Sequence, residues 1–157
     1  MLPEMTKTNQ PVNKQDVVGF ARRHSLDLPK EYREFLARYN GGQPIPPTFP
    51  IEGFLNNPLG DVQVFFGLNA VRETEDLDAV MADHEDLIPA GILPIACTDG
   101  YDFVCLDLRG GKERVVYWDR VPFWGANVWN EEDLYFIASN FDDFLRGLRE
   151  EPYGNIE

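Results

Sequence analysis

The chain has 157 residues, of which 43% are hydrophobic and 13% aromatic, and this content suffices for one hydrophobic core. Its 14 Lys and Arg against 27 Asp and Glu give a net charge of −13. A surface of this sign repels phosphate backbones and attracts basic proteins, so direct nucleic-acid binding is disfavoured. We expect a single domain over residues 1–157, with residues 1–12 as a loosely ordered N-terminal arm.

The two cysteines, Cys97 and Cys105, form no CxxC motif and lie near no histidine pair. The sequence therefore predicts neither a zinc site nor a disulfide framework. Residues 1–13 contain no apolar leader, and no stretch approaches the ~18 consecutive apolar residues of a membrane span. We expect a cytoplasmic protein without membrane contact, present as a monomer or a simple homodimer.

Two helices are predicted near the N-terminus. The first covers residues 17–24 with Asn13 as its cap and Asp16 assisting. The second begins at Pro29, which suits a first turn, and ends at residues 40–42, whose Asn-Gly-Gly sequence tolerates left-handed backbone. Apolar residues recur at helical spacing along the second helix: Tyr32, Phe35, Leu36 and Tyr39.

The prolines in residues 43–58 predict an irregular segment, because proline lacks the N–H donor that helices and central strands use. Aromatic and aliphatic side chains are expected to anchor it: Phe49, Ile51 and Phe54. Alternation over residues 61–66 then predicts a strand, and the spacing of Leu77, Val80 and Met81 predicts a short helix.

The second half of the chain is predicted to be mainly sheet. Apolar runs at 92–96, 103–108 and 115–118 are typical of strands, and residues 109–113 supply a hairpin connection. A last strand at 135–138 precedes a helix capped by Ser139, whose buried stripe would be Phe141, Phe144, Leu145 and Leu148. The fold class is α+β, with a central, mainly antiparallel mixed sheet flanked by N- and C-terminal helices.

Three segments resemble the SMI1/KNR4 family, also called SUKH: LPKEYREFLARYNGG at 28–42, ILPIACTDGYDFVCLDLRG at 92–110 and RVVYWD at 114–119. The closing SNFDDFLRGL at 139–148 is similar to the last helix of that family. The residues that carry the resemblance form a structural motif: Leu28, Pro29, Tyr32, Phe35, Leu36, Tyr39, Asn40, Gly41, Gly42, Asp99, Gly100 and Trp118.

The resemblance implies a protein-binding module without catalytic residues and without a cofactor. Family members in bacteria are immunity proteins that bind polymorphic toxins, many of which are nucleases or deaminases. Fungal members regulate cell-wall synthesis and signalling. The resemblance therefore implies either an immunity protein that neutralises a toxin domain with a basic surface or a regulatory, scaffolding module of the same fold.

The residues themselves offer no catalytic set and no metal site. The two histidines, His24 and His84, lie beside no nucleophile motif, and the acidic neighbours of His84 point in different directions along a helix. Two nearby carboxylates, Asp99 and Asp102, could suggest acid/base or calcium chemistry. The Asp-Gly sequence between them is better explained by a strand-to-strand turn.

Aromatic rings interleaved with carboxylates mark the candidate partner-binding segment: Phe123, Trp124, Trp129, Glu131, Glu132 and Asp133. Such a segment combines anchors with electrostatic steering towards a basic partner. Alternatively, the rings close the core over the sheet as a lid. A second candidate patch consists of Glu73, Glu75, Asp76 and Asp78, and its alternative is a solvated helix start.

Overall fold

The structure is a computed structural model that describes residues 1–54, 58–120 and 129–150. Its centre is a six-stranded antiparallel meander whose strands neighbour one another in chain order. They are β3 (Thr48–Pro50), β4 (Leu59–Phe65), β5 (Ile92–Thr98), β6 (Phe103–Asp107), β7 (Arg114–Trp118) and β8 (Leu134–Ala138). In these described ranges, four α-helices accompany the sheet: α1 (Lys14–Arg23), α2 (Lys30–Tyr39), α3 (Leu77–His84) and α4 (Phe141–Arg146). The predicted α+β class is confirmed.

The helix starts follow from local capping. Asn13 and Asp16 form a reciprocal capping box at α1, as predicted, and this box satisfies two otherwise unpaired backbone N–H groups. At α4 the predicted cap Ser139 is wrong by one residue. The side chain of Asn140 accepts the N–H of Asp143 at 2.7 Å and is the N-cap. An amide or a hydroxyl oxygen serves equally well there, so composition alone did not separate the two positions.

The prediction of an irregular segment at 43–58 is wrong in its first half. Residues Gln43–Ile45 form β2, and the following residues form β3. Prolines fit these strands because β3 lies at the edge of the large sheet and β2 belongs to a two-stranded sheet. Among the described residues, each strand has a side that pairs with no other strand, so the N–H that proline lacks removes few hydrogen bonds between strands. Phe49 and Ile51 are buried, as expected of anchors.

The N-terminal arm, expected to be loosely ordered, contains strand β1 (Glu4–Thr6), which pairs antiparallel with β2. Further along, the side chain of Asn9 donates to the carbonyl of Asn40 at 2.8 Å, and that of Asn40 donates to the carbonyl of Gln10 at 2.8 Å. Short polar segments of this kind show little periodicity, and for that reason the sequence did not reveal the pairing.

The main core lies between one face of the sheet and the helices α2 and α4. Phe35 of α2 packs edge-on against Phe65 of β4 and Phe141 of α4, with ring centroids 4.9 and 5.1 Å apart. Tyr32 and Leu36 are fully buried beside them. Within the described ranges, none of the helices has the length and apolar character needed to span a membrane.

Candidate functional site: the α3 face of the sheet

Strand register assigns a row of side chains to the sheet face opposite α2 and α4. Val64 pairs with Cys97, Cys97 with Phe103, and Phe103 with Trp118. Directly paired residues of antiparallel strands project to the same side, so these four side chains share one face. Helix α3 lies over it, because His84 contacts the rings of Phe103 and Trp118 at 5.2 and 6.2 Å. We call this surface the α3 face.

A cleft of about 500 Å³ opens on the α3 face. Val64, Cys97 and Phe103 contribute apolar lining from the sheet, while α3 and the turn that precedes it add charged and polar groups. Tyr101, which is 80% exposed, also lines the cleft. Concave apolar surfaces with a few polar groups are the usual form of a binding site. The cleft combines residues that are far apart in sequence, and periodicity could not have revealed it.

Arg120 is the most unusual group of this cleft. Its guanidinium carbon lies 3.9 Å from the centroid of the Phe103 ring, in a cation–π arrangement. The Nε atom is buried without a hydrogen-bond partner in the described part of the chain. Burial lowers the pKa of Arg120, against the opposing charge of Asp102. The guanidinium stays charged at neutral pH all the same, since its ordinary pKa is far above neutrality.

His84 belongs to the aromatic packing of the face. One ring nitrogen, Nδ1, lies 2.8 Å from the carbonyl oxygen of Val80, and this contact assigns the proton to Nδ1. Among the described residues, no three His, Cys, Asp or Glu side chains are grouped so that they could hold a metal ion. The thiol of Cys97 is a weak nucleophile, because burial, with the charge of Glu75, raises its pKa to about 11.

Seven carboxylates and no Lys or Arg occur in residues 73–86, at the border of the cleft. Of the predicted patch, Asp76 caps α3 by accepting the N–H of Ala79. Asp78 bonds Arg23, the last residue of α1, and His24, which follows it. Burial opposes ionisation of Asp78, but the hydrogen bonds and charges of Arg23 and His24 prevail and lower its pKa. The patch is therefore partly internal, and the outward carboxylates are Glu73, Asp83, Glu85 and Asp86.

The predicted partner-binding segment lies beside this cleft only in part. Phe123 and Trp124 fall outside the described residues. Trp129 packs on Trp118 with ring centroids 5.0 Å apart, and its Nε1 donates to Glu131 at 3.2 Å. This packing favours the interpretation of Trp129 as a cover for the core. Through Trp118, the segment and the cleft are parts of the same α3 face.

The three carboxylates of that segment have different surroundings. Glu131 is engaged by both terminal nitrogens of Arg109, which also binds Asp107. Hydrogen bonds from Arg109 lower the pKa of Glu131. Glu132 is exposed, whereas burial and the charges of Asp119 and Glu132 raise the pKa of Asp133. Glu132 and Asp133, rather than Glu131, are available to meet a partner.

The two carboxylates around the Asp-Gly turn differ as well. Asp99 and Gly100 are exposed in the turn, but Asp102 is only 5% exposed. Its carboxylate accepts the Tyr117 hydroxyl at 2.5 Å and the Arg120 backbone N–H at 2.7 Å. Burial raises the pKa of Asp102, and these hydrogen bonds oppose the rise. Asp102 thus ties the start of β6 to the end of β7, a structural role that the sequence did not indicate.

The family motif at 28–42 contributes to the core and to the turn that ends α2. Leu28, Tyr32, Phe35 and Leu36 are buried, and Tyr39 packs partly against them. Pro29 stands at the N-cap position instead of inside the first turn. Gly41 and Gly42 have φ of 86° and 114° and approach other backbone so closely that a Cβ would lie 2.7 Å from the oxygen of Phe65 and 2.6 Å from that of Thr6. Only glycine fits both positions.

Comparison with known proteins gives one family match and one curated relative. The model of the SMI1/KNR4 family (SUKH-1) matches residues 11–147. A curated relative, the SPbeta prophage-derived uncharacterized protein YokK of Bacillus subtilis (strain 168), is 28% identical over 140 residues, which cover 80% of this chain and 68% of the relative. No solved structure matches the chain significantly.

Proposed function

The chain belongs to the SMI1/KNR4 family (SUKH-1), and from this membership we propose that it is an immunity protein that binds a toxin domain with a basic surface through the α3 face. It acts by occupying the toxin and performs no catalysis. We place this activity in the cytoplasm, with a monomer or simple homodimer as the binding unit.

The observation that carries the proposal is the concentration of outward carboxylates beside a cleft. Residues 73–86 alone hold seven of the 27 acidic residues and no cation. Glu75 and Asp83 line the cleft together with Arg72 and Arg120, and Nη1 of Arg72 lies 3.8 Å from Oε2 of Glu75. The acidic surface extends beyond this pair over the exposed carboxylates Glu73, Asp83, Glu85 and Asp86. Such a field accelerates association with a basic partner and disfavours acidic ones.

Exposed apolar groups beside the same cleft supply anchors for binding. Tyr101 lines the cleft and is 80% exposed. Val71, which precedes the cleft residue Arg72 in the sequence, is 95% exposed. Tyrosine is enriched among the residues that contribute most to interface affinity, because its ring buries much area at low entropic cost. The acidic groups steer the partner, and these side chains hold it.

The sharpest test uses a toxin domain, which the immunity function leads us to expect beside the gene. We expect Glu73→Lys with Asp83→Lys to weaken binding about tenfold or more, mainly through slower association, and to reduce the salt dependence of the rate. The matched control reverses two exposed carboxylates elsewhere, Glu4→Lys with Glu52→Lys, and changes the net charge equally. Surface plasmon resonance at several salt concentrations measures both effects.

Equal losses in the two double variants would show that net charge, and not the α3 face, governs binding. Unchanged rates in Glu73→Lys with Asp83→Lys would contradict the proposed face. A Tyr101→Ala variant separates the anchor from the steering groups, because it should speed dissociation and leave the salt dependence of association intact.

A further inference from the structure

A second groove lies between α1 and α2, away from the cleft on the α3 face. Its volume is about 730 Å³. Val17, Val18 and Ala37 contribute apolar surface, and Val18 is 40% exposed although it is a large aliphatic residue. A groove between two helices with an exposed valine is the kind of apolar surface on which an amphipathic helix packs.

The charge around this groove is opposite to that of the protein. Residues 14–39 hold six Lys or Arg and four Asp or Glu, a net charge of +2, while the rest of the chain carries −15. Among the described residues, four cations and one carboxylate line the groove: Lys14, Lys30, Arg33, Arg38 and Glu34. The groove is a local basic site on an acidic protein.

Neighbouring groups neutralise these cations only weakly. The ammonium of Lys30 is 3.9 Å from Glu34, and both side chains are largely exposed, so this pair contributes little. Arg33 donates through Nε to the carbonyl of Leu28, which leaves its charge in place. The guanidinium carbon of Arg38 lies 5.2 Å from the centroid of the Tyr39 ring, and no carboxylate of the described segments forms an ion pair with it.

We propose that this groove is a second docking site, which takes an acidic amphipathic helical segment of another protein. Apolar side chains of that segment would pack on Val18 and Ala37, and its flanking Glu or Asp would meet Lys14 and Lys30. A nucleic acid fits less well, because it is a long polyanion that extends beyond the groove. Its phosphates would be repelled by the net charge of −15 on the rest of the chain, which acts over a Debye length of ~8 to 10 Å. The inference goes beyond the α3 face, since the two surfaces have opposite charge.

The test uses a synthetic helical peptide with leucine at i, i+3, i+4 and i+7 and glutamate on both flanks of that stripe. A second peptide carries lysine in place of each glutamate. We expect only the acidic peptide to bind, with backbone amide shifts in ¹⁵N NMR spectra centred on Val18 and Ala37. Lys14→Glu with Lys30→Glu should weaken this binding about tenfold.

The variants are chosen to fold. Lys14 and Lys30 each open a helix, where glutamate is favourable to the helix dipole, so loss of binding does not reflect unfolding. The matched control reverses two exposed lysines elsewhere, Lys7→Glu with Lys112→Glu, and should bind the acidic peptide nearly as well as the parent.

The proposal would be overturned by no binding of the acidic peptide, by amide shifts outside the groove or by equal weakening in the control variant. Tighter binding of a short DNA duplex at Val18 and Ala37 would overturn it as well. Concentration-dependent dimerisation in sedimentation experiments, with the same amide shifts and without peptide, would identify a second copy of the chain as the occupant and would also overturn it. None of these outcomes involves the α3 face, so the proposed immunity function is tested separately.

Discussion

Asn40 offers the most specific prediction of stability, because one side chain joins three parts of the molecule. It ends α2 in left-handed backbone, with φ 51° and ψ 53°, and is 1% exposed. The amide nitrogen donates to the carbonyls of Gln10 and Leu68, both at 2.8 Å, and the amide oxygen accepts the N–H of Leu68 at 2.7 Å. Asn40 therefore fixes the N-terminal segment and the loop after β4 to the end of α2.

Asn40→Ala should lower the free energy of unfolding by about 3 to 5 kcal/mol. The buried N–H of Leu68 loses its partner, at about 1 to 3 kcal/mol, and the lost bonds to two carbonyls add to this. Alanine in left-handed backbone costs roughly another 1 kcal/mol. For a chain of this length, we expect the melting temperature to fall by roughly 6 to 20 °C. Asn40→Gly avoids the backbone cost and should lose about 2 to 4 kcal/mol.

The matched control is Asn69, which also has left-handed backbone, with φ 56°, but is exposed. Asn69→Ala should lose only about 1 kcal/mol. Urea denaturation followed by far-UV circular dichroism measures the free energy of unfolding of each variant. These values can be compared directly if the m value is unchanged. If Asn40→Ala and Asn69→Ala lose the same free energy, the side-chain hydrogen bonds of Asn40 do not stabilise the fold and the reasoning is refuted.

Three further predictions follow from the core and the charged groups. Phe35→Ala should cost about 3 to 5 kcal/mol in urea denaturation, and an unchanged melting temperature would contradict its place against Phe65. Asp107→Asn should cost roughly 2 to 3 kcal/mol at neutral pH, since it removes charged hydrogen bonds. Burial opposes ionisation of Asp107, but its arginine partners lower its pKa, so this stabilisation exists above the unfolded pKa of about 4 and is lost as pH falls through the folded value. The free energies of unfolding of the parent and of Asp107→Asn, measured by urea denaturation, should therefore become equal at acid pH. A difference that stays constant with pH would argue against a stabilising role of the ion pairs. Glu132→Lys with Asp133→Lys should slow association with the toxin domain and reduce its salt dependence, measured by stopped-flow fluorescence, and identical kinetics would remove this segment from the interface.

Periodicity predicted the parts of the fold in which one face of an element is buried. Helix α2 could be predicted because Tyr32, Phe35 and Leu36 repeat every three to four residues, and strands β5 to β7 because their apolar runs are continuous. Strands β1 to β3 were missed because each has only three residues, too few to show alternation. In β2 and β3 a proline also occupies one of those three positions.

The sequence could predict the candidate site only where its charged residues are neighbours along the chain. The sequence indicated a patch of Glu73, Glu75, Asp76 and Asp78. That Asp78 is internal depends on Arg23 and His24 at the end of α1, which the sequence does not place beside it. Likewise, the cleft unites Glu75 with Arg120 and Tyr101 through tertiary packing. The burial of Asp102 depends on Tyr117, 15 residues along the chain.

We propose that this family member neutralises a toxin by binding it through the α3 face. The direct measurement is growth of cells that express the toxin expected beside the gene together with this protein or its variants. We predict that the parent and Glu4→Lys with Glu52→Lys restore growth, whereas Glu73→Lys with Asp83→Lys does not, at equal soluble protein levels. Failure of the parent to restore growth would contradict the immunity function, and full rescue by Glu73→Lys with Asp83→Lys would contradict the α3 face.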